Sequence, residues 1–230
     1  MRELDGARLF SASDLVNFLG CGHATALDLR QLRNPVVLPG DDEQTVLLQE
    51  KGIAHEIAYL ERLRGEGRTI GEIPTDGSLE ERVALTRAAL TAGPDVIYQG
   101  ALFGPPWHGF SDFLLKVPGV PSRLGDYAYD IADTKLARTA KPKHVIQLCV
   151  YAELLEIEQG VPPPSLHVAL GAGAIATVRT DDVRHYGAIA RQRFEAFVGA
   201  ANVVTAAEPC GHCTFCRWRA ECEGVWDATE

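Results

Sequence analysis

Four of the six cysteines lie close together near the end of the chain. Cys213, Cys216 and Cys222 have the spacing C-x2-C-x5-C, and Cys210 stands three residues before the first of them. Two thiolates at C-x2-C spacing can bind one metal ion or cluster, and a third thiolate five residues later can complete a corner of the same site. This pattern predicts a metal centre that fixes the fold of the C-terminal segment.

The fourth ligand and the metal stay open at this level. Cys210 would complete a local four-thiolate zinc site, with His212 as a competing ligand. Cys21 lies almost two hundred residues earlier and would instead tie the two ends of the chain together. Spacing alone does not identify the metal. Cys149 lies in an apolar helical segment and is predicted to be a buried core residue.

Length and composition predict one globular domain of 230 residues, divided into an N-terminal part (1–40), a core (41–180) and a C-terminal part (181–230). The chain has no apolar run of the ~20 residues that span a bilayer and no apolar segment typical of a signal peptide. We therefore expect a cytoplasmic protein with no membrane contact. In a reducing compartment the cysteines are better interpreted as metal ligands than as disulfides. A formal charge of −9 argues against non-specific coating of nucleic acid.

Apolar periodicity predicts an α/β core with a mixed sheet, in the order helix, three strands, helix, strand. Ser11 and Ser78 begin capping boxes, and Asp181 with Asp182 is predicted to cap the last long helix. The helices are predicted at 11–20, 24–32, 43–64, 78–92, 141–159 and 181–200. The strands are predicted at 95–103, 107–116, 127–135, 166–170 and 174–179, and a loop at 33–41.

Charged residues interrupt two predicted central strands. Asp112 lies in one strand, and Asp133 and Lys135 lie two residues apart in the next, so their side chains share a face. Burial of an isolated charge costs several kcal/mol, so these groups need a partner or a metal. Carboxylates that converge from neighbouring strands suit Mg²⁺ or Mn²⁺. A simple Asp–Lys ion pair at a strand edge is the alternative.

A basic segment follows the acidic strand. Arg138, Lys141 and Lys143 occur with no acidic residue between Lys135 and position 152. In isolation this is typical of a solvated helix start, but its position beside the carboxylates favours phosphate contact.

Four short motifs occur in order along the chain. They are Gly-x-x-His (Gly52 to His55), Gly-x-x-Asp (Gly109 to Asp112), Asp-x-Lys (Asp133 to Lys135) and Gln-x-x-x-Tyr (Gln147 to Tyr151). Together they resemble RecB-like nucleases of the PD-(D/E)XK superfamily, which includes the CRISPR-adaptation exonucleases and RecB-like nucleases fused to helicases. Ser111 stands where the superfamily name has a proline.

The resemblance implies a restriction-endonuclease-like core with N-terminal helices and a C-terminal cysteine clasp. It implies a Mg²⁺- or Mn²⁺-dependent deoxyribonuclease that acts on single-stranded DNA or DNA ends, in repair, recombination or defence. The implied catalytic residues are His55, Asp112, Asp133 and Lys135. His55, Asp112 and Asp133 would ligate the ion together with the carbonyl of Thr134, and DNA would be contacted by Gln147, Tyr151, Arg138, Lys141 and Lys143.

For the cysteines, the resemblance implies a [4Fe-4S] cluster bound by Cys21, Cys213, Cys216 and Cys222. Structural zinc, with Cys210 as a ligand, is the alternative. A helicase partner or fusion is also implied. Two hypotheses for function compete with the nuclease. One is a non-catalytic module that binds nucleic acid or assembles within a larger helicase–nuclease. The other is a redox or zinc-structural protein, but this hypothesis leaves the central motifs unexplained.

Overall fold

The computed structural model describes residues 1–4, 6–38, 40 and 43–228. Positions 39, 41 and 42, which adjoin the predicted boundary between the N-terminal part and the core, lie outside the described residues. The described residues form, in chain order, β1 (Arg2–Leu4), β2 (Ala7–Ser11), α1 (Ala12–Gly20), α2 (Gly22–Arg33), α3 (Glu43–Gly65), β3 (Ile70–Glu72), α4 (Leu79–Ala92), β4 (Val96–Gly104), β5 (Trp107–Ser122), β6 (Gly125–Lys135), α5 (Pro142–Gln159), β7 (Ser165–Leu170), β8 (Ile175–Arg179), α6 (Thr180–Gly199), a 3-10 helix (Gly211–Phe215) and α7 (Arg219–Asp227). None of these described helices is long and apolar enough to cross a membrane.

All eight strands belong to one mixed, open sheet. Its main path runs β1-β2-β5-β6-β7-β8, and β4 pairs with β5 and carries β3 on its other side. Neighbours β4, β5 and β6 are antiparallel. By contrast, β6 and β7 are parallel, because α5 connects them as a crossover. The predicted α/β class with a mixed sheet is therefore confirmed.

The central strands are buried on both faces of the sheet. On one face, Leu114 and Ile131 pack with Leu148 of α5. On the other face, Phe113 packs edge-on against Tyr59 of α3, with ring centroids 4.9 Å apart. Burial of one large apolar side chain stabilises a fold by about 1.5–3 kcal/mol. A charge on these strands must therefore find a partner, since apolar neighbours surround it on either face.

Most predicted elements occur within a few residues of their predicted limits. Ser11 and Ser78 cap α1 and α4 as expected, each accepting a hydrogen bond from the backbone amide three residues later, at 3.3 and 3.2 Å. Helix α5 and strands β4, β6, β7 and β8 match their predicted segments closely. The capping boxes and apolar periodicity of these elements agree with the fold that the whole chain adopts, so the local pattern alone predicted them well.

One predicted cap was wrong, and several short elements were not predicted. The expected N-terminal helices occur as α1 and α2, but two unpredicted strands, β1 and β2, precede them, and β2 pairs with β5 at Phe10 and Trp107. Arg179, not Asp181 or Asp182, occupies the N-cap of α6; both aspartates lie inside the first turn, where they favour the helix dipole. β3, the 3-10 helix and α7 were not predicted, since segments this short carry little periodicity.

The long helix α3 is confirmed, but only part of its apolar stripe is buried. Leu60 is buried against the sheet, whereas Leu47, Leu48, Ile53 and Ile57 are exposed in the described part of the chain. Only the last turns of α3 lie over the strands, so periodicity correctly indicated the helix but not the extent of its contact.

Gln159 holds the start of the β6 acidic segment against the end of α5. Its fully buried amide accepts a hydrogen bond from the Tyr129 amide (2.8 Å) and donates to the carbonyls of Tyr129 (3.2 Å) and Val161 (3.1 Å). Tyr129 lies on the same strand as Asp133 and Lys135. This side chain therefore helps to set the position of the strand that carries the predicted site.

Replacement Gln159→Met is expected to lower the free energy of unfolding by about 2–4 kcal/mol, because it leaves buried backbone groups without partners. Chemical denaturation should measure this loss. The matched control is Gln192→Met on the exposed surface of α6, which should change stability by no more than about 0.5 kcal/mol. Equal stability of the two variants would contradict the anchoring role of Gln159.

Candidate metal and nucleic-acid site

Strands β5 and β6 part where the predicted acidic residues lie. Their pairing begins at Phe113 and Ala132 and does not extend to Asp112 and Asp133. Instead, Asp112 Oδ2 accepts hydrogen bonds from the Thr134 amide (2.8 Å) and the Thr134 hydroxyl (2.9 Å). A side-chain carboxylate thus takes the place of the next backbone carbonyl in the ladder. The two strands can diverge there without leaving the Thr134 amide unpaired.

Asp133 and Lys135 lie at the open end of this divergence. Asp133 is 2% exposed, and its Oδ2 is in ion-pair contact with Lys135 Nζ. The same oxygen has no donor in hydrogen-bonding geometry among the described residues. Burial, followed by the negative charge of Asp112, raises the pKa of Asp133 to about 7, although Lys135 opposes the shift. A buried carboxylate oxygen that is satisfied only in part is a position where a cation would bind favourably.

Glu56 is a third carboxylate of this site, and the sequence interpretation missed it. Burial raises the pKa of Glu56, the charge of Asp112 adds to this, and Lys135 opposes it. Its carboxylate accepts a hydrogen bond from the Gln99 side-chain amide and bonds to the Tyr98 hydroxyl. The available signal was its place beside His55 in α3, but a glutamate on a helix is usually solvated.

Gln99 has a strained backbone opposite Asp112. Its φ is 60°, a left-handed conformation that non-glycine residues seldom adopt inside a strand. The ladder pairs Tyr98 with Phe113 and Gly100 with Ser111, so Gln99 lies between these pairs and faces the start of the divergence. Such strain costs about 1–3 kcal/mol and clusters at functional sites. Here it directs the Gln99 amide to Glu56.

His55 lies beside the site on α3. Among the described residues its ring makes one hydrogen bond, in which Nε2 is 3.2 Å from the carbonyl oxygen of Ala169 in β7. Ala169 pairs with Thr134 of β6, so His55 faces the strand next to the acidic one. The structure therefore brings His55 near Thr134, while Glu56 is the α3 residue whose charge acts on Asp133. Its role as a metal ligand stays a prediction.

Gln147 and Tyr151 form the wall of the site on α5. The Gln147 amide donates to the Tyr151 hydroxyl at 3.1 Å, and burial, together with the charge of Asp133, raises the pKa of Tyr151. A Cβ at Gly109 would lie 2.5 Å from the Tyr151 ring. The glycine of the Gly-x-x-Asp motif thus makes room for the tyrosine of the Gln-x-x-x-Tyr motif. Gly52 of the first motif has open space around it and no comparable constraint.

The basic residues Arg138, Lys141 and Lys143 are exposed around the start of α5. Burial lowers the pKa of the neighbouring His144 to about 4, and the positive charges of Lys135, Lys143 and Lys141 contribute. The lysines of this segment and Lys135 therefore all lie near His144. The phosphate contact expected for Arg138, Lys141 and Lys143 stays a prediction.

The predicted ligands are close but not assembled around one point. Within the described ranges, no group of three or more His, Cys, Asp or Glu side chains is arranged to hold a metal ion. His55, Asp112 and Asp133 each contact a protein partner instead, namely Ala169, Thr134 and Lys135. The residue types still suit a hard divalent ion, because carboxylate oxygens and a neutral imidazole are ligands of such ions and one Asp133 oxygen is only partly satisfied. Side-chain rotation would be needed to complete a ligand shell.

The fold brings Cys21 to the C-terminal cysteines. Cys21 caps α2, and its sulfur accepts from the Ala24 amide at 3.4 Å. Burial raises the pKa of both Cys216 and Cys222, and the charges of Cys21 and Cys213 add to each shift. Cys210 belongs to the same group, since its sulfur lies 3.7 Å from that of Cys213. The cysteines of both candidate ligand sets are thus neighbours, but among the described residues no three of them are arranged to hold a metal, and all six cysteines are free.

The C-terminal segment is docked on α2 through Asp28. This buried carboxylate accepts hydrogen bonds from the Trp218 indole (2.6 Å) and from Arg217 (3.0 and 2.5 Å). Trp218 is 1% exposed and packs with Cys222, so it supports the cysteine region and does not face solvent. Cys149 is buried in α5 as predicted, and burial raises its pKa to about 12.

A sizeable cavity lies elsewhere, between α5, α6 and the β4–β5 turn. It has a volume of about 970 Å³. Its three arginines are already paired, Arg87 with Glu158, Arg184 with Glu156, and Arg191 with Glu153. The strained backbone and the partly satisfied carboxylate are both found at the acidic site, which we therefore take as the candidate functional site. No protein-family model matches the chain, and no curated protein matches it.

The raised pKa of Asp133 predicts a pH-dependent stability. In the metal-free native state Asp133 keeps a proton that the unfolded chain releases from about pH 4 upwards. The free energy of unfolding therefore falls as pH rises from about 4 to 7, and the full penalty is present above pH 7. Asp133→Asn should remove this penalty. At pH 8 in chelator the variant should melt at a higher temperature than wild type, and at pH 4 the two should melt at the same temperature.

Asp126→Asn, on the exposed start of the same strand, is the matched control and should leave the melting temperature unchanged at both pH values. Added Mn²⁺ should stabilise wild type but not Asp133→Asn, because a cation offsets the buried charge. Destabilisation of Asp133→Asn by the same amount at pH 4 and pH 8 would show that burial does not penalise this carboxylate.

Proposed function

We propose that this chain is a divalent-metal-dependent DNA nuclease of the RecB-like, PD-(D/E)XK type. The observation that carries the proposal is the divergence of β5 and β6 around Asp112, Asp133 and Lys135, with one Asp133 oxygen buried and partly satisfied. The order of the sequence motifs supports the assignment. The packing of the Tyr151 ring into the space that Gly109 leaves free supports it too. On this proposal the mixed sheet with α3 and α5 on its two faces is a restriction-endonuclease-like core.

Asp112, Asp133 and His55 would hold the ion, with the Thr134 carbonyl as a further ligand. When bound, Mg²⁺ or Mn²⁺ supplies Lewis-acid stabilisation of the phosphate and lowers the pKa of water. Lys135 is within contact of Asp133 and can move to offset the charge that develops on the phosphate. Glu56 orients this end of the site through its bonds to Gln99 and Tyr98.

The exposed basic residues Arg138, Lys141 and Lys143 would bind backbone phosphates beside the acidic centre. They give a local attraction for nucleic acid on a chain whose formal charge is −9. Buried Tyr151 and its partner Gln147 would shape the wall of the site more than they contact DNA. A preference for single strands or ends, and a helicase partner, rest on the motif resemblance.

Cleavage of end-labelled single- and double-stranded DNA with Mg²⁺ or Mn²⁺ tests this function, with anaerobically purified protein. Asp112→Ala should abolish metal-dependent cutting, since it removes a ligand and the acceptor for Thr134. Lys135→Ala should bind DNA about as well as wild type but cut at least about a hundredfold more slowly. Asp126→Ala, a carboxylate outside the site, is the control and should cut normally.

A non-catalytic binding or assembly module is the second candidate. It is favoured by the absence, among the described residues, of a preassembled group of three metal ligands. Wild type that is folded, metal-replete and binds DNA, yet cuts neither strand form, would support the module and refute the nuclease. Cutting that requires Asp112 would refute the module.

We further propose that the cysteines hold a structural [4Fe-4S] cluster through Cys21, Cys213, Cys216 and Cys222. The charge of Cys21 acts on Cys216 and Cys222, which supports a site that joins Cys21 to the C-terminal group. Cys21 also bonds to Cys210, so the choice of this set over one with Cys210 rests on the motif resemblance. The cluster would reinforce the docking of the C-terminal segment on α2 that Asp28 already provides. Because Cys210 touches Cys213, the zinc alternative with Cys210 as a ligand is tested in the same experiment.

Cys21→Ser and Cys213→Ser should both lose iron and acid-labile sulfide and should melt at lower temperatures than wild type. Cys210→Ser is the matched control and should keep both. Iron and sulfide content, with melting by circular dichroism, are the measurements. Loss of metal in Cys210→Ser but not in Cys21→Ser, or zinc in place of iron in anaerobic wild type, would identify the local zinc site instead.

A further inference from the structure

Arg82 of α4 is a buried cation that the candidate site does not include. Its side chain is 7% exposed, and its Nε has no hydrogen-bond partner among the described residues. The guanidinium lies over the Phe110 ring, 4.1 Å from the centroid. Burial lowers the pKa of Arg82, and no described carboxylate offsets this effect. Burial of an unpaired charge costs several kcal/mol, so the contacts that Arg82 does make need an explanation.

The hydrogen bond of Arg82 goes to the residue with the left-handed backbone. Arg82 Nη2 donates to the Gln99 carbonyl at 3.3 Å, and the carbonyl of the preceding Tyr98 accepts from the Ile73 amide at 3.0 Å. In a regular strand, successive carbonyls point in opposite directions, so one of these two would face β5. Both accept instead from outside the β4–β5 pair. The φ of 60° at Gln99 accounts for this, because it turns the second carbonyl towards α4.

Helix α4 takes the place of β3 beside this part of β4. The pairing of β3 with β4 covers Val96 to Tyr98 and ends there. Further along β4, the Ala101 amide donates to the hydroxyl of Thr86, one helical turn after Arg82, at 2.9 Å. Side chains of α4 thus supply an acceptor for one backbone amide and a donor for one backbone carbonyl. Thr86 makes the same kind of contact as Arg82, but with a residue whose backbone is not left-handed.

Gln99 connects this contact to the acidic site. Its side-chain amide donates to Glu56, and the charge of Asp112 acts on the same carboxylate. A left-handed conformation of a non-glycine residue costs about 1–3 kcal/mol and persists only where its surroundings hold it. An extended backbone at Gln99 would turn the carbonyl away from Arg82. The bond from Arg82 therefore favours the one conformation in which the Gln99 amide reaches Glu56.

We infer that Arg82 is a positioning residue, whose bond to the Gln99 carbonyl holds the Gln99 amide on Glu56 and so fixes one wall of the acidic site. Arg82 forms no hydrogen bond with Asp112 or Asp133, and it acts through Gln99 and Glu56. Its effect on cation binding rests on the proposed function, whereas its effect on Gln99 does not. Partners one step removed from metal ligands typically change metal affinity by about 10–100-fold.

The side-chain amide resonance of Gln99 tests the positioning directly, by NMR of ¹⁵N-labelled protein in chelator. The bond to Glu56 should displace this resonance from those of solvated glutamine amides, and Gln99→Gly assigns it by its loss. In Arg82→Met the resonance should move to the solvated position. The variant should fold, because an apolar side chain in place of a buried unpaired charge is often neutral or stabilising. Melting by circular dichroism checks this.

Thr86→Val is the matched control, since it removes a bond between the same helix and the same strand. It should lower the melting temperature, because the buried Ala101 amide loses its acceptor. The Gln99 resonance should nevertheless stay where it is in wild type.

Binding of Mn²⁺, measured by the electron paramagnetic resonance of the free ion, tests the consequence for the site. Arg82→Met should bind Mn²⁺ about tenfold more weakly than wild type, and Thr86→Val should bind it equally well. Gln99→Gly should show a similar loss, because glycine adopts the left-handed conformation freely but has no amide to offer Glu56. The double variant should bind no more weakly than Gln99→Gly, since both changes break the same connection.

An unchanged Gln99 resonance in Arg82→Met, or an equal displacement in Thr86→Val, would overturn the inference. Equal Mn²⁺ affinity of Arg82→Met and wild type would do so too, as would losses that add in the double variant. If wild type binds no Mn²⁺, the proposed metal-dependent function fails. The Gln99 resonance then still decides whether Arg82 positions Gln99.

Discussion

The bond between the Asp112 carboxylate and the Thr134 amide and hydroxyl is the interaction on which the candidate site depends. In a sheet that is buried on both faces, an amide without an acceptor costs about 1–3 kcal/mol, so central strands rarely part. Asp112 supplies the acceptor from a side chain and lets β5 separate from β6 just beyond Phe113. The space this creates exposes one end of an otherwise buried acidic strand. If a backbone carbonyl of β5 accepted this hydrogen bond instead of Asp112, the two strands would stay paired. Asp133 would then be enclosed by apolar side chains, and neither a cation nor a phosphate could reach it.

The electrostatics of the site follow from this geometry. Burial raises the pKa values of Glu56 and Asp133, the charge of Asp112 adds to both shifts, and Lys135 offsets only part of the effect. The left-handed Gln99 adds backbone strain to hold Glu56 in place. Protein groups alone could neutralise this cluster more completely, for instance with a second lysine. The remaining negative charge and the partly satisfied Asp133 oxygen are the features on which the proposed divalent cation rests, since such an ion supplies two charges at one point.

How much could be read from the sequence depended on whether the signal was local. Capping boxes and strand periodicity lie within a few residues, and the elements built from them were predicted closely. Asp112, Asp133 and Lys135 were found because charges interrupt apolar strands, which is visible without a structure. Glu56 was missed, since a helical glutamate looks solvated until the fold brings it to Asp112.

The two ends of the chain influence the same surface. Asp28 fixes the C-terminal segment to α2, and this brings His212 close enough to Lys143 for the lysine charge to lower the histidine pKa, after the larger effect of burial. The cysteine region therefore lies near the start of α5, where the charges of Lys135 and Lys143 both act on His144. The bonds of Asp28 thus determine which part of α5 the C-terminal segment approaches, and they come from a carboxylate that is itself buried.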